Sequence, residues 1–216
     1  SASQTDFRQL FAPQYPGGGT DRTEFALTVN NGKTRIYLTD GTANPATQTT
    51  NLPSNFWRTD NGNQTAAALL ASQAAGATVP PDTTVGPQFY NGWQKLTSTL
   101  TSSPYYATND FCTGQCWYDQ GVYTPTGMPD TVYVFGSFVY GELPCNTKGV
   151  GCGNGRSNGR GVLYSTTAGD PQPVTTADGT STTRTFTDLT YDAQDTPAPW
   201  CGLDGALEPM NPIFAF

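Results

Sequence analysis

The sequence predicts an all-β protein built from four-stranded antiparallel sheets, arranged like the blades of a β-propeller. Three observations support this fold class: turn-forming residues are abundant, alternating strands are separated by tight turns, and one order of features occurs twice. The chain has 24 Gly and 17 Pro in 216 residues, which favours frequent turns over long helices. Aromatic residues make up 12% of the chain, whereas disordered chains are poor in aromatics.

The first half of the chain contains a strand-and-turn series that we interpret as one blade-like unit. The series begins with FALTVNNGKTRIYLTDG, an alternating strand, an Asn-Asn-Gly turn and a second alternating strand centred on Tyr37. It continues with FWRTDNG, in which Trp57 directly precedes a turn, and with WQKLTS, which begins at Trp93. We expect these segments to be successive strands of one antiparallel sheet.

The second half repeats this order. The segment QGVYTPTGMPDTVYVFGS predicts a strand, a turn and a second strand that is centred on Tyr133. Tyr164 in GVLYSTTAG takes the place of Trp57, and Phe186 in TFTDLT takes the place of Trp93. Because an internal repeat of about four strands is typical of propellers and related arrays, we predict two successive blades.

The turn segments resemble the Asp-box, or BNR repeat, of sialidase-like β-propellers. The resemblance rests on FWRTDNG followed by WQKLTS, on WYDQGVYTPTGMPDTVYVFGS as the start of a blade, and on NGRGVLYSTTAGD with TFTDLTYDAQ as its outer half. It covers residues 25–70 and 117–195. In GVLYSTTAG a Thr or Ala stands where the box aspartate would be, so FWRTDNG is nearer to the pattern.

The resemblance implies an extracellular protein in which the box has an architectural role. Its Ser, Thr and Asp side chains bind backbone donors in a hairpin, and its aromatic residue packs between blades. We therefore expect Trp57 to be a buried anchor and not a ligand platform. Two units are fewer than the typically four to eight blades of a closed propeller, so we expect an incomplete propeller. Further polypeptide or neighbouring copies of the chain would complete it.

The predicted organisation has four parts, of which the second blade-like unit carries long disulfide-bearing loops. The parts are an N-terminal extension (1–24), a first blade-like unit with insertions (25–100), a second blade-like unit (101–195) and a C-terminal segment (196–216).

Two Gly-rich polar loops hold four of the five cysteines. Cys112 and Cys116 lie in FCTGQCW, and Cys145 and Cys152 lie in PCNTKGVGCGNG. We expect each pair to form a local disulfide in a secreted protein. A structural zinc site is the alternative, although the spacings differ from the usual knuckle pairs. Cys201 would then be unpaired, or its partner would lie outside this chain.

Charge and residue usage exclude several classes of function. The net charge of −7 argues against a nucleic-acid partner, because phosphate binding needs clustered Lys and Arg. No segment has the roughly 18 consecutive apolar residues of a membrane-spanning helix. The chain has no histidine, which excludes Ser-His-Asp and Cys-His catalytic systems and His-ligated metal sites within it.

The favoured function is a secreted, non-catalytic module that binds a glycan or an extracellular protein, or that takes part in extracellular assembly. Flat aromatic rings beside Asn, Asp and Gln suit sugar and protein surfaces, and such rings flank the first cysteine pair. Two arginines lie in the polar segment GNGRSNGRG. The candidate ligand-binding residues are Tyr105, Tyr106, Trp117, Tyr118, Arg156 and Arg160.

The alternative function is a glycoside hydrolase, either sialidase-like or inverting. A sialidase needs an arginine cluster, a Tyr–Glu nucleophile pair and an acidic Asp. Tyr140 and Glu142 in VYGEL supply the residue types of the nucleophile pair, and Asp119 supplies the acid. An inverting enzyme needs two carboxylates ~6.5–9.5 Å apart, for which Asp119 and Glu142 are the catalytic candidates.

No cofactor is expected, with Ca²⁺ as the one alternative. The segment DLTYDAQD contains Asp188, Asp192 and Asp195, whose carboxylates are suitable Ca²⁺ ligands, but it lacks the spacing of a dedicated calcium loop.

Overall fold

The computed structural model describes residues 21–42, 54–72, 86–109, 111–112, 120–136, 161–175 and 181–189. Within these ranges the chain is mostly strand, and every strand pair is antiparallel. The predicted all-β class is therefore confirmed for this part of the chain. The described residues form two open sheets and a hairpin, which is fewer than the blades of a closed ring, so the propeller architecture stays a prediction.

The first sheet has five strands in the order β1–β2–β3–β5–β4. Its first two strands form the hairpin predicted around Tyr37, and they pair without interruption over ten residues each. The turn residues Asn31 and Gly32 have φ values of 50° and 76°, which match the type I′ turn that such a hairpin prefers. The strands are β1 (Asp21–Asn30), β2 (Lys33–Thr42), β3 (Asn55–Thr59), β4 (Gln88–Tyr90) and β5 (Trp93–Lys95).

The second sheet has four strands in the order β6–β7–β8–β11. In each sheet four strands lie side by side in chain order, β1–β2–β3–β5 and β6–β7–β8–β11, although other strands intervene in the chain before β5 and before β11. We call each set of four a meander. The strands are β6 (Gly121–Tyr123), β7 (Val132–Phe135), β8 (Val162–Ser165) and β11 (Thr187–Asp188), with β9 (Gln172–Thr175) and β10 (Ser181–Arg184) as a separate hairpin.

The helices are short. The α-helix α1 (Ala66–Ala71) begins after the N-cap Thr65, whose Oγ1 accepts a hydrogen bond from the Ala68 amide at 3.2 Å. A 3₁₀ helix (Pro104–Thr108) follows Ser103, which caps it in the same way. In the described part of the chain no helix is long and apolar enough to cross a membrane.

The two sheets share one hydrophobic core. Phe56 of the first sheet lies near its centre, with its ring 5.8 Å from that of Tyr37 and 5.2 Å from that of Phe186, measured between centroids. The first contact is stacked and the second is edge-to-face, the two arrangements that aromatic pairs prefer. The core consists of Tyr37, Phe56, Leu96, Tyr105, Ala107, Phe111, Cys112, Val132, Val134, Leu163, Ala168 and Phe186.

The residue correspondences predicted by the repeat hold only in part. Tyr37 and Tyr133 lie on the second strand of their meanders, and Trp57 and Tyr164 lie on the third. The two tyrosines occupy opposite faces of these equivalent strands, because Tyr37 points into the core whereas Tyr133 alternates with core valines and points away from it. A shift of one residue reverses the face that a strand residue occupies.

Trp57 is fully buried, which confirms the anchor prediction. It alternates with Phe56 along β3, so it packs on the face of the first sheet opposite the shared core, and its packing between two blades stays a prediction. Its Nε1 donates to Asp40 Oδ2 at 2.7 Å, and Lys95 Nζ lies 5.5 Å from the centroid of its ring. Asn55 Nδ2 donates to the other Asp40 oxygen at 2.8 Å.

Candidate functional site: a tyrosine row on the second sheet

Three tyrosines lie side by side on the face of the second sheet that points away from the core. Tyr123 on β6 is directly opposite Tyr133 on β7, and Tyr133 is directly opposite Tyr164 on β8. Val132 and Val134, on either side of Tyr133, point into the core, so the tyrosines point outward by strand alternation. We call Tyr123, Tyr133 and Tyr164 the tyrosine row.

The rings of the tyrosine row form a continuous aromatic surface. The centroids of Tyr123 and Tyr133 are 6.2 Å apart, and those of Tyr133 and Tyr164 are 4.9 Å apart, with interplanar angles of 34° and 37°. Tyr123 is 53% exposed, and the other two rings are partly exposed. The row is therefore a surface feature and not a layer of the core.

The surroundings of the tyrosine row are uncharged along the register of the sheet. The row continues into Thr187 on β11, which is opposite Tyr164. Phe135, two residues after Tyr133 on β7, lies on the same face and is partly buried. Among the described residues no hydrogen bond is made by the three tyrosine hydroxyls, so these hydroxyls can bind a ligand.

Arg35 on β2 links the first sheet to a turn of the second. Its side chain is only 7% exposed, and its Nε donates to Asp60. Its Nη1 donates to Asp130 and, at 3.0 Å, to the carbonyl oxygen of Pro129. The Tyr37 hydroxyl donates to the same carbonyl oxygen. These contacts hold the turn before β7 against the first sheet.

Arg58 on β3 makes a second link between the sheets. Its Nη1 and Nη2 donate to the two oxygens of Asp170 at 2.9 and 3.0 Å, a bidentate arrangement. It also donates to the carbonyl oxygen of Ala168 at 2.8 Å and to Gln94 Oε1 at 2.7 Å. Both buried arginines are thus bound to carboxylates of the protein itself. This arrangement fits a structural role and not the binding of a substrate carboxylate.

Burial and the neighbouring arginines shift the pKa values of two groups in this network. Burial raises the pKa of the Tyr37 hydroxyl to about 12, against the opposing charge of Arg35. Burial would also raise the pKa of Asp60, but the hydrogen bond and charge of Arg35, with the charge of Arg58, bring it below its ordinary value. Asp60 is therefore ionised at neutral pH and remains paired with Arg35.

The lowered pKa of Asp60 predicts an acid-sensitive contribution to stability. A carboxylate whose pKa is lower in the folded than in the unfolded chain stabilises the fold above the unfolded value of about 3.9, and this stabilisation is lost as the pH falls through the folded pKa. We expect Asp60→Asn to be less stable than the wild type at pH 7 and to lose less unfolding free energy between about pH 5 and pH 2. Urea unfolding at each pH measures this, and parallel pH profiles for the two proteins would contradict it.

Two of the six ligand-binding candidates, Tyr105 and Tyr106, lie in the described ranges. Tyr105 is 4% exposed and belongs to the core, so the prediction of an exposed ring is wrong for this residue. The 3₁₀ helix directs it inward, and Tyr106 beside it is partly buried. Outside the described residues lie the candidates Trp117, Tyr118, Arg156 and Arg160, and the catalytic candidates Asp119 and Glu142.

Cys112 is fully buried and disulfide-bonded. Its partner lies outside the described residues, as do Cys116, Cys145, Cys152 and Cys201, so the predicted pairing stays a prediction.

Of the calcium candidates, Asp188 lies on β11, and Asp192 and Asp195 lie outside the described residues. Over the ranges that the structure describes, no group of three or more His, Cys, Asp or Glu side chains could hold a metal ion.

Sequence reasoning did not single out Tyr123, and it assigned Tyr133 and Tyr164 to architectural positions of the repeat. A signal was present, because each tyrosine directly follows Val or Leu on a strand. The pattern indicates that neighbouring side chains occupy opposite faces. It does not indicate which tyrosines meet across strands.

Comparisons of this chain with protein-family models, with curated proteins and with solved structures find no match in any of the three. The resemblance to Asp-box propellers rests on the quoted sequence segments alone.

Proposed function

We propose that this chain is a non-catalytic binding module that holds a glycan against the tyrosine row. The observation that carries the proposal is the alignment of three outward-facing tyrosines across three neighbouring strands. Sugar rings present C–H faces that pack on aromatic rings and hydroxyl groups that exchange hydrogen bonds with tyrosine hydroxyls. An aromatic row on a sheet offers both kinds of contact at regular intervals.

A neutral, extended ligand suits the tyrosine row better than a charged one. The row and its neighbours in register, Thr187 and Phe135, carry no charge, and the buried arginines are bound to carboxylates of the protein. The rings follow the spacing of successive strands, about 4.8 Å, so a chain of sugar units lying across the strands would meet one ring after another. A protein ligand would instead favour a central pocket for an anchor side chain.

The proposed setting is extracellular. The disulfide at Cys112 supports it, because disulfides persist mainly in oxidising compartments. The resemblance of FWRTDNG to an Asp-box supports a propeller-like module, in which the two meanders would be neighbouring blades.

Replacing Tyr133 with alanine tests the proposal, because this ring is the centre of the row. The wild type is first screened on a glycan array, and the affinity for the best ligand is measured by titration calorimetry. We expect Tyr133→Ala to weaken binding by roughly 30-fold, the effect of losing a ~2 kcal/mol aromatic contact. Tyr133→Phe keeps the ring, so it separates the packing contact from the hydroxyl hydrogen bond.

Phe89→Ala is the matched control, since Phe89 is an exposed aromatic on the first sheet. It should bind the ligand as the wild type does. No binding to any glycan on the array, or equal binding by Tyr133→Ala and the wild type, would contradict the proposal. Release of reducing ends from the bound glycan would instead support the glycoside hydrolase alternative.

A further inference from the structure

The strand β1 presents a row of exposed apolar side chains at one edge of the first sheet. Phe25, Leu27 and Val29 are 61%, 56% and 67% exposed. They lie on the face opposite the shared core, because Leu27 is paired with Ile36, the neighbour of the core residue Tyr37. Among the described strands only β2 pairs with β1. We call Phe25, Leu27 and Val29 the edge strip.

The backbone of the edge strip points its hydrogen-bonding groups outward. The type I′ turn closes on the hydrogen-bonded pair Asn30–Lys33, so the even-numbered residues of β1 bond to β2 and the odd-numbered ones point away from it. The same alternation appears on β2, where the carbonyl oxygen of Thr34 faces the β3 side and accepts from the Gly62 amide at 2.9 Å. The three edge-strip residues are odd-numbered. Their side chains are exposed, and no described strand bonds to their outward amides.

This edge lacks the features that usually protect an edge strand. Lysine, proline and β-bulges are the common protections. The ten β1–β2 pairs run without a bulge, and the segment TEFALTV from Thr23 contains neither lysine nor proline. Its one charged residue, Glu24, lies on the other face and pairs with Arg22 at 2.7 Å. A long, unprotected apolar edge favours pairing with another strand.

We propose that a second copy of this chain pairs with this edge, with β1 antiparallel to β1 and a two-fold axis at Leu27. In this register Leu27 is opposite Leu27 of the second copy, and Phe25 is opposite Val29 of the second copy. The two edge strips then lie on one face and cover each other. The strip is self-complementary, as a symmetric interface requires.

Charge also favours the antiparallel arrangement. In the proposed register Glu24 is opposite Asn30 of the second copy. Lys33 is the partner of Asn30 on β2, so Lys33 of the second copy lies one strand further on the same face. The long lysine side chain can reach Glu24 there, and the symmetry makes this contact twice. A parallel arrangement with Leu27 opposite Leu27 would instead place Glu24 opposite Glu24 of the second copy.

Sedimentation velocity with two lysine variants tests the interface. The wild type is expected to be a dimer at about 100 μM, and Leu27→Lys is expected to dissociate at least about tenfold more readily, because two like charges then lie directly opposite. Phe89→Lys introduces the same charge at a similarly exposed position on the opposite edge strand, β4, and should dimerise as the wild type does. A monomeric wild type, or equal dissociation of both variants, would overturn the proposal.

Cysteine cross-linking tests the register. Residues opposite each other have Cβ atoms about 4.5–5.5 Å apart, which is within reach of a short bismaleimide, so Leu27→Cys should form a covalent dimer with this cross-linker. Val29→Cys alone should not, but a mixture of Val29→Cys and Phe25→Cys should. The wild type treated identically controls for native cysteines. Cross-linking of Val29→Cys alone, or none of Leu27→Cys, would overturn the two-fold axis at Leu27.

Discussion

Replacing Phe56 with alanine is expected to lower the free energy of unfolding by about 3–5 kcal/mol. Phe56 is fully buried where the two sheets meet, and its ring contacts Tyr37 and Phe186 in stacked and edge-to-face geometry. The substitution removes the buried ring and leaves a cavity between two sheets whose backbones are fixed by their own ladders. The core can therefore close only partly around the loss. Urea unfolding followed by tryptophan fluorescence measures the effect.

Phe89→Ala is the matched control for this prediction. Phe89 lies on the same sheet but is 66% exposed, so its removal should change the unfolding free energy by less than about 0.5 kcal/mol. The comparison separates the loss of a packed ring from the loss of an aromatic residue as such. A similar cost for both variants would show that Phe56 is not central to the core.

Replacing Gly169 with alanine is expected to destabilise the fold by about 2–4 kcal/mol, from backbone strain and overpacking together. Gly169 has φ +82°, a conformation that side chains disfavour. An added Cβ would lie 2.9 Å from Phe56 Cε1 and 3.1 Å from Leu96 Cδ1. Both neighbours are fully buried, so neither can move aside without disturbing the core. Thermal unfolding with the free energy referred to a common temperature measures the loss.

Gly127→Ala isolates the packing component of this effect. Gly127 has nearly the same backbone angle, φ +78°, but an added Cβ would meet nothing within 4 Å. It should therefore show only the backbone strain of about 1–2 kcal/mol. Equal losses at the two positions would mean that the core accommodates the extra methyl group at Gly169 without cost.

Four of the five strands of the first sheet were predicted from local sequence, but β4 and the face that each strand buries were not. The Asn-Gly turn and the alternation around Tyr37 are sufficient to predict β1 and β2. The more apolar face of β2, however, carries Ile36 and Leu38, which are only partly buried. The face with Arg35 and Tyr37 meets the second sheet instead. Hydrophobicity alone favours the wrong face, because the arginine is compensated by carboxylates distant in sequence.

The tyrosine row was beyond prediction for a related reason. Its members come from three strands, and their alignment depends on the pairing register of β7 with β8, which are far apart in sequence. Register over such a separation is set by packing on the core and not by a short turn. The burial of Tyr105 likewise depends on the direction of a single 3₁₀ turn, which composition does not indicate.

The arginine links have a consequence for how the molecule unfolds. Arg35 and Arg58 belong to the first sheet, yet the groups that they bind on the other side lie in turns that flank β7 and β8. If one sheet unfolded while the other stayed folded, a buried guanidinium would lose its carboxylate partner. Leaving such a charge buried and unpaired costs free energy. The two meanders should therefore unfold as one cooperative unit. The backbone amides of both should exchange slowly and should lose this protection in the same unfolding transition. The tyrosine row and the edge strip, on different sheets, would then keep a constant orientation to each other until the whole unit unfolds.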